Sequence, residues 1–230
     1  MPDKVALIIG GNRGIGLGVV KELLQRGWRV IATARKPAAA TELSALAARY
    51  PGRLSVEELD MGDGPGVDAF ARQMTEPVDV LLLNAGIAGP QHRSAQSATV
   101  GEIGELMFVN AVAPIRLARE LAGRVRGGGG IIAFTSSVMG SVSQNTGGHE
   151  LYRASKAALN SLTRGLWTEL QGKNLTVLTL HPGWVRTDMG GSSAAVSIED
   201  SARGLAEVLE REAGAHDHKF LDYRGKAIPW

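Results

Sequence analysis

The segment Val5-Ala6-Leu7-Ile8-Ile9-Gly10-Gly11-Asn12-Arg13-Gly14-Ile15-Gly16 decides the fold of this 230-residue chain. Its apolar run, Val5 to Ile9, predicts a buried strand, and a helical pattern begins near residue 15. The glycines between them allow a tight turn, close approach of the backbone to a pyrophosphate, and tight packing of the helix on the sheet. Because a helix N-terminus attracts phosphate, the turn predicts a nucleotide site, although any strand-to-helix turn can use glycine.

Short apolar runs and helical patterns alternate along the rest of the chain. Further strands are predicted at residues 28–33, 54–59, 80–83, 131–134 and 175–180, with a weaker seventh at 220–222. Helices are predicted near residues 15–26, 40–50, 65–75, 99–125, 152–172 and 198–213. Apolar strands that alternate with helices favour a mostly parallel sheet, covered on both faces and joined by right-handed crossovers. We therefore predict a doubly wound α/β fold of the Rossmann type, with residues 1–230 as a single domain.

The composition favours one globular protein and excludes several classes of site. Hydrophobic residues make up 44% of the chain, and the formal net charge is +2 with no run of five like charges, so nothing indicates a nucleic-acid partner. Without cysteine there is no disulfide, thiol nucleophile or thiolate ligand, and no metal is predicted. No leader pattern and no stretch of membrane-spanning length is found, so a cytoplasmic protein without a membrane partner is expected.

A second stretch, Tyr152-Arg153-Ala154-Ser155-Lys156, stands at the head of a predicted helix. Positions four apart share one helix face, so the Tyr152 phenol and the Lys156 ammonium can point into the same cleft. A cation there favours the phenolate and lowers a pKa that is ordinarily about 10, which makes Tyr152 a candidate general acid or base. The alternative for an isolated pair of this kind is a partly buried tyrosine beside a lysine that reaches solvent.

Ligands of doubly wound sheets bind beyond the carboxyl ends of the strands, and several polar residues fall there. After the second strand, Arg35 occupies the region where an acidic residue would bind the ribose of NAD. With Arg13 it suits a 2′-phosphate, which favours NADP(H) over NAD(H), unless the segment is only a solvated basic loop. After the third strand, Asp60 could accept hydrogen bonds from the adenine amino group or cap the next turn.

The next two strands are followed by small and hydroxyl-bearing residues. Asn84-Ala85-Gly86 would let the backbone approach the adenosine side of a dinucleotide. Asn110 lies in a helical pattern that asparagine does not favour, which indicates a specific hydrogen-bonding role. Ser136 and Ser137 follow the fifth strand, where a hydroxyl could donate to a substrate carbonyl, although serine after a strand is ordinarily turn chemistry.

Over essentially its whole length the chain resembles the short-chain dehydrogenase/reductase superfamily. The motifs that carry the resemblance are the glycine turn, Asn84-Ala85-Gly86, Asn110, Ser136-Ser137-x-x-Gly140, Tyr152-x-x-x-Lys156 and His181-Pro182-Gly183-Trp184-Val185-Arg186-Thr187-Asp188-Met189. Two phrases, Tyr-Arg-Ala-Ser-Lys-Ala-Ala-Leu-Asn and His-Pro-Gly-Trp-Val-Arg-Thr-Asp-Met-Gly-Gly, are similar to those of sniffer-type carbonyl reductases and their C-factor-like bacterial relatives.

The resemblance implies an oxidoreductase that transfers a hydride between NADP(H) and a small carbonyl or alcohol substrate. Tyr152 would protonate the carbonyl oxygen, and Ser137 would polarise it. Lys156 would hold the nicotinamide ribose and lower the pKa of Tyr152, and Asn110 would anchor a water that links Lys156 to solvent. The implied cofactor-binding residues are Gly10, Asn12, Arg13, Gly14, Ile15, Gly16, Arg35, Asp60, Met61, Asn84, Ala85, Gly86, Tyr152, Lys156, Pro182, Gly183, Val185 and Thr187.

Three departures from the family pattern affect these expectations. Ile9 stands where a threonine is usual and Leu83 where an asparagine is usual, but both positions have mainly structural roles, so cofactor binding is expected to survive. The gap between Ser137 and Tyr152 is longer and holds a polar loop, residues 143–149. The implied substrate pocket, formed by loops after strands four to six, is apolar and suits a compact carbonyl. It would contain Ile87, Met139, Trp184 and Met189, although Trp184 and Met139 could equally serve the core.

Two other functions remain open at this point. One is a dinucleotide-binding regulatory or signalling protein with little catalysis, because C-factor-like relatives have been linked to signalling. The other is an NAD-dependent alcohol dehydrogenase, which would require the Arg35 loop to leave the ribose unphosphorylated. Relatives also form subunit contacts through the C-terminal region and two long helices, so a homodimer or homotetramer is expected. Trp230 would be covered by such a partner or fold back onto its own sheet.

Overall fold

Seven strands form one parallel sheet in the computed structural model, which describes residues 4–230. They are β1 (Val5–Ile9), β2 (Arg29–Ala34), β3 (Leu54–Glu58), β4 (Val80–Leu83), β5 (Ile131–Thr135), β6 (Thr176–His181) and β7 (His218–Asp222). The order across the sheet is β3-β2-β1-β4-β5-β6-β7. The chain therefore reverses its direction of travel between β1 and β4, and such a switch point opens a crevice at the carboxyl ends of these strands.

Helices cover both faces of this sheet. They are α1 (Gly14–Gln25), α2 (Thr41–Arg49), α3 (Gly64–Gln73), α4 (Val100–Met107), α5 (Ala113–Leu121), α6 (Glu150–Leu170) and α7 (Ile198–Arg211). A π-helical turn, Phe108–Val112, joins α4 and α5 into one continuous segment. The doubly wound fold predicted from the sequence is confirmed, and the strand ends differ from the predicted ones by no more than two residues.

Alternate residues of the central strands supply two separate cores. Leu7 and Leu81 face α3, α5 and α6, whereas Ile8 and Leu82 face α1, α2 and α7. All four side chains are fully buried. Successive strand residues point to opposite faces, and here both faces are covered, which is why the strands are continuously apolar in the sequence. The central strands β1 and β4 therefore carry no polar side chain, and polar residues follow them at their carboxyl ends.

Candidate active site

The glycine-rich turn after β1 packs directly against neighbouring loops. Gly10 has a φ of +82°, and a Cβ at this position would lie 2.9 Å from the Cα of Ala85. A Cβ at Gly16 would overlap the carbonyl oxygen of Gly10. The N–H of Gly10 donates to Oγ1 of Thr33 at 2.9 Å, so a hydroxyl group of β2 holds the turn. Ile9 itself is buried in the core. The turn is thus fixed in a shape that only glycine permits at residues 10 and 16.

A chain of hydrogen bonds joins the carboxyl ends of β1, β4 and β5 to α6. The Asn84 side chain donates from Nδ2 to the carbonyl oxygen of Gly10 at 3.0 Å and accepts at Oδ1 from the Thr135 hydroxyl at 3.1 Å. The carbonyl oxygen of Thr135 accepts from Nζ of Lys156 at 2.9 Å. Sequence reasoning missed Thr135, whose only signal was its place as the last residue before the serine pair. Asn84 and Thr135 thus link Lys156 to the glycine turn through hydrogen bonds.

Asn110 lies in the π-helical turn and is fully buried. Its Oδ1 accepts from the N–H of Ile87 at 2.8 Å, and its Nδ2 donates to the carbonyl oxygen of Ile87 at 2.9 Å and to Oγ of Ser155 at 3.1 Å. The Ser155 hydroxyl in turn donates to the carbonyl oxygen of Tyr152 at 2.8 Å. The specific hydrogen-bonding role predicted for Asn110 is confirmed, and the π turn is the local distortion that brings its side chain to this loop.

Lys156 and Asn110 meet beside Gly86, and Tyr152 lies near Lys156. Lys156 is 3% exposed, and its Nζ lies 5.7 Å from the centre of the Tyr152 ring. A Cβ at Gly86 would lie 3.2 Å from Oδ1 of Asn110 and 3.5 Å from Nζ of Lys156. The absence of a side chain at residue 86 therefore leaves room for both polar groups. The structure brings together three of the four residues that the resemblance assigned to catalysis.

The fourth, Ser137, follows β5 and caps the short 3-10 turn Val138–Gly140. Its Oγ accepts from the N–H of Met139 at 3.1 Å, which leaves the hydroxyl proton available to donate. The turn packs against α6, since a Cβ at Gly140 would lie 2.8 Å from the carbonyl carbon of Lys156. Ser136 differs, because its hydroxyl already donates to Oδ1 of Asn160 at 2.6 Å. Of the two serines, only Ser137 keeps its proton for a substrate.

Burial governs the protonation of the central pair. It raises the pKa of Tyr152 to about 12 and lowers the pKa of Lys156 to about 8. Desolvation of the phenol therefore outweighs the lowering of the Tyr152 pKa that was expected from Lys156, whose ammonium donates to the Thr135 carbonyl. At neutral pH Tyr152 is therefore an uncharged phenol and Lys156 a cation. Such a phenol has a proton to donate and is a weak base in its resting state.

The residues predicted for the adenosine end of a dinucleotide have different surroundings. Arg35 is exposed just beyond the carboxyl end of β2, whereas Nη1 of Arg13 donates to a carboxylate oxygen of Asp188 at 2.8 Å. Both partners of that ion pair are largely exposed, so it contributes little to stability and can open. Asp60 accepts from the N–H of Gly62 at 2.9 Å, which is the turn-capping alternative. Met61 is a buried core residue, so only its backbone can face a ligand.

The loop between β6 and α7 reaches back to the glycine turn. Pro182 and Val185 are buried, and a Cβ at Gly14 would lie 3.4 Å from Cγ2 of Thr187. Gly183 has a φ of +89°, which favours glycine. Trp184 and Met189 are about half exposed, and the Trp184 indole N–H donates to the carbonyl oxygen of Gly190 at 2.9 Å. The loop thus presents two large apolar side chains to solvent.

Among residues 4–230, no helix is long and apolar enough to cross a membrane. The same part of the chain contains no group of three or more histidine, aspartate or glutamate side chains that could hold a metal ion.

A doubly wound sheet has a glycine turn at its switch point here, and a buried lysine near a tyrosine is linked to that turn through Thr135 and Asn84. This is the architecture of a dinucleotide-binding oxidoreductase. The family model described as short chain dehydrogenase matches residues 4–196. The chain therefore belongs to the short-chain dehydrogenase/reductase family.

Three similar proteins indicate which members of that family the chain resembles. The chain is 38% identical over 165 residues to a C-signal protein of Myxococcus xanthus, covering 70% of this chain and 99% of the relative. A carbonyl reductase from Pseudomonas aeruginosa in complex with NADP is 43% identical, with a TM-score of 0.91 over 99% of this chain and all of the other. The carbonyl reductase Sniffer of D. melanogaster is 30% identical, with a TM-score of 0.87 over 99% of both chains. The resemblance to carbonyl reductase-like members is confirmed.

Proposed function

We propose that this protein is an NADPH-dependent carbonyl reductase that converts a small ketone or aldehyde to an alcohol. The observation that carries the proposal is that Lys156 meets Asn110 at Gly86 and lies 5.7 Å from the Tyr152 ring, while the Ser137 hydroxyl keeps a free proton. The carbonyl reductases among its relatives support the reaction, and the NADP found with one of them supports the cofactor. The substrate pocket would be formed by the loops after β4, β5 and β6.

The residues at the switch point fit a dinucleotide. The glycine turn has no Cβ where a pyrophosphate would approach, and α1 begins within the turn, so its N-terminal N–H groups and partial positive charge are available to phosphate. Lys156 would hold the nicotinamide ribose, and the 182–187 loop would frame the nicotinamide. NADPH, when bound, supplies the hydride that adds to the carbonyl carbon.

Proton delivery is the task of the protein. Tyr152 donates its phenolic proton to the carbonyl oxygen, so its O–H bond breaks as the alcohol O–H bond forms. The Ser137 hydroxyl hydrogen-bonds to that oxygen and stabilises the negative charge that develops on it. The Lys156 cation stabilises the phenolate that remains. Asn110 holds Ser155, and Ser155 holds the Tyr152 backbone, so the acid is positioned by a buried hydrogen-bond chain.

The proposed preference for NADPH rests on Arg35 and gives a testable expectation. The Arg35→Glu variant should lose about 10- to 100-fold of NADPH affinity, since a charge-assisted hydrogen bond is worth about 1.5–3 kcal/mol, while NADH affinity changes little. Dissociation constants for both cofactors, measured by isothermal titration calorimetry, give the ratio. Arg72→Glu is the control. Arg72 is also exposed, but it lies near the C-terminal end of α3 and not in the loop that follows β2. A wild-type preference for NADH, or an unchanged ratio in Arg35→Glu, would defeat the assignment.

The reaction itself is tested by following NADPH oxidation with a panel of small ketones, aldehydes and quinones. We expect turnover with at least one compact apolar carbonyl, because Trp184 and Met189 leave the predicted pocket open and apolar. Tight NADPH binding without turnover on the whole panel would instead favour a dinucleotide-binding regulatory protein. That second candidate is kept because one relative is a C-signal protein.

A homodimer or homotetramer is the assembly that we propose. Exposed apolar side chains on α4, the π turn and α6 support it: Val100, Ile103, Val112 and Leu162. The Trp230 ring packs against His218 and Phe220 of the same chain, with centroids 4.8 and 5.2 Å apart, so the tail folds back onto its own sheet. Trp230 stays 41% exposed, which leaves surface that a partner could cover. Light scattering on the purified protein measures the mass of the assembly.

A further inference from the structure

An open cavity of about 380 Å³ lies between α6 and residues 141–149, the loop that precedes this helix. Its volume is in the range of small-molecule sites, about 300–1,000 Å³. Ser137, Tyr152 and Lys156 do not line it, and of the residues expected in the substrate pocket only Met139 does. Its apolar lining consists of Met139 and Ala157, which are partly buried, and of Val142 and Ala154, which are exposed at its mouth. Its polar wall includes two side chains of α6, Glu150 and Arg153.

The first end of the 141–149 loop is held by the C-terminal segment. The buried Ser141 hydroxyl donates to the carbonyl oxygen of Pro229 at 2.6 Å, and the N–H of Val142 donates to the carbonyl oxygen of Trp230 at 2.8 Å. The Trp230 ring is itself seated on β7. This end of the cavity is therefore formed by contacts that do not depend on a ligand.

The second end of the loop is held by Arg153. Its Nε donates to the carbonyl oxygens of Gly147 and Gly148 at 3.1 and 2.9 Å, and its Nη2 donates to Oγ1 of Thr146 at 3.2 Å. The residue is only 9% exposed. Loop and cavity are thus fixed at both ends before any ligand arrives.

Arg153 is a buried cation without a carboxylate partner among residues 4–230. Its hydrogen bonds there go to two carbonyls and a hydroxyl, and Nη1 makes none. Buried charges in proteins are ordinarily paired, because an unpaired one is costly. Since Arg153 also lines the cavity, the free N–H groups of Nη1 are positioned to donate to an occupant.

Residues of both charge signs surround the cavity, and together they favour a ligand with a single negative charge. Glu150 lies three residues before Arg153, yet its carboxylate accepts from the N–H of Ala95 at 2.7 Å and forms no ion pair with Arg153. The 21-residue helix α6 begins at Glu150, so its positive end faces the same region. Beyond it, Arg93 contacts His149, with Nη1 and Nε2 3.3 Å apart. One anionic group can pair with Arg153, whereas the second charge of a dianion would have no cation of the cavity wall left to pair with and would meet Glu150.

We infer that this cavity is a second ligand site, which binds a small organic carboxylate with an apolar body. The carboxylate pairs with the guanidinium of Arg153, whose planar donors match two carboxylate oxygens. The apolar body lies against Met139, Val142, Ala154 and Ala157. The inference does not depend on the proposed reductase activity, because it rests on a cavity that contains none of the proposed catalytic residues.

Benzoate is the probe that tests this inference, with its uncharged analogue benzamide for comparison. Isothermal titration calorimetry on the full chain, without substrate, should show benzoate binding at least about 10-fold tighter than benzamide, which corresponds to about 1.4 kcal/mol. Saturating NADPH should not displace benzoate, since the two sites are separate. Arg153→Met should lose the binding, whereas Arg164→Met, an exposed control on the same helix, should keep it.

Because Arg153 also holds the loop, a second variant leaves Arg153 in place. Ala157→Met fills the cavity from its apolar wall and should abolish benzoate binding while the thermal unfolding midpoint stays near wild type. Equal binding of benzoate and benzamide, wild-type binding in Ala157→Met, or displacement by NADPH would each overturn the inference. It would also fail if the cavity took a carboxylate from a second copy of the chain. In that case Arg153→Met would lower the mass of the assembly, and benzoate would not bind.

Discussion

The Tyr152→Phe variant is expected to lose about 10²- to 10⁴-fold of the turnover number for carbonyl reduction, while it keeps wild-type NADPH affinity and thermal stability. Only the phenolic oxygen and its proton are removed. In this structure none of the hydrogen bonds that hold the site uses that oxygen, because Tyr152 is positioned through its backbone carbonyl and Ser155. Initial rates of NADPH oxidation, with cofactor titrations beside them, separate the loss of chemistry from a loss of binding.

A matched control isolates the effect of the proton. Tyr50→Phe also removes one phenolic hydroxyl. Tyr50 lies at the C-terminal end of α2, outside the proposed catalytic group, so this variant should leave turnover unchanged. Full activity in Tyr152→Phe would remove Tyr152 as the acid. A Tyr152→Phe variant that bound NADPH but reduced nothing, beside an active wild type, would exclude the purely regulatory alternative.

The strands of this protein can be predicted from the sequence because their pattern is local. Residues 5–9 and 80–83 are buried on both faces, and a continuous apolar run records that directly. The seventh strand begins two residues before its predicted start, because His218, which is buried beside Trp230, does not look like a strand residue in an apolar count. An apolar run in the sequence is enough to predict that a strand exists. The start of β7, however, depends on a tertiary contact between His218 and Trp230.

Contacts between distant segments are the part of the site that the sequence does not supply. Asn110 stands out because asparagine is unfavourable in a helix, but the π turn that aims it has no sequence signal of its own. Thr135 and Arg153 are ordinary residue types at ordinary positions, and their roles follow from partners 21 and 5 to 7 residues away. The ion pair of Arg13 with Asp188 spans 175 residues and has no local signal either.

The pKa of Tyr152 shows the same limit in its energetics. Spacing on a helix correctly places an ammonium near the phenol, at 5.7 Å from the ring centre. It does not reveal how far each group is removed from water, and desolvation has the larger effect. Consequently the pair rests as a neutral acid beside a cation, a state suited to reduction.

Lys156→Met is expected to abolish most turnover and yet to raise the free energy of unfolding at pH 7. Lys156 is 3% exposed, and burial lowers its pKa from 10.5 to about 8, which represents a cost on the order of 3 kcal/mol for keeping it charged. Methionine of similar length removes that cost. It also leaves the Thr135 carbonyl without one donor, which offsets about 1 kcal/mol, so a net gain of about 1–2 kcal/mol is expected.

The pH dependence of this gain has a definite sign. Between pH 8 and 10.5 the folded wild type has released the Lys156 proton, whereas the unfolded chain still holds it, so the unfolding free energy of the wild type rises with pH across this window. The methionine variant lacks that contribution. Its advantage should therefore be largest below pH 8 and should shrink, or change sign, by pH 10.5.

Urea unfolding gives the free energy of unfolding of the wild type and of Lys156→Met at three pH values: one below this window, one within it and one at its upper end. The difference between the two proteins isolates Lys156, because the other titrating groups contribute equally to both. Lys21→Met is the control, because the Lys21 side chain is 42% exposed and pairs with Glu42 on the surface, so its removal should show no such trend. A constant difference across the series, or a Lys156→Met variant that is less stable at every pH, would mean that Lys156 is not buried as a charge. Its proposed part in stabilising the Tyr152 phenolate would then lose its physical basis.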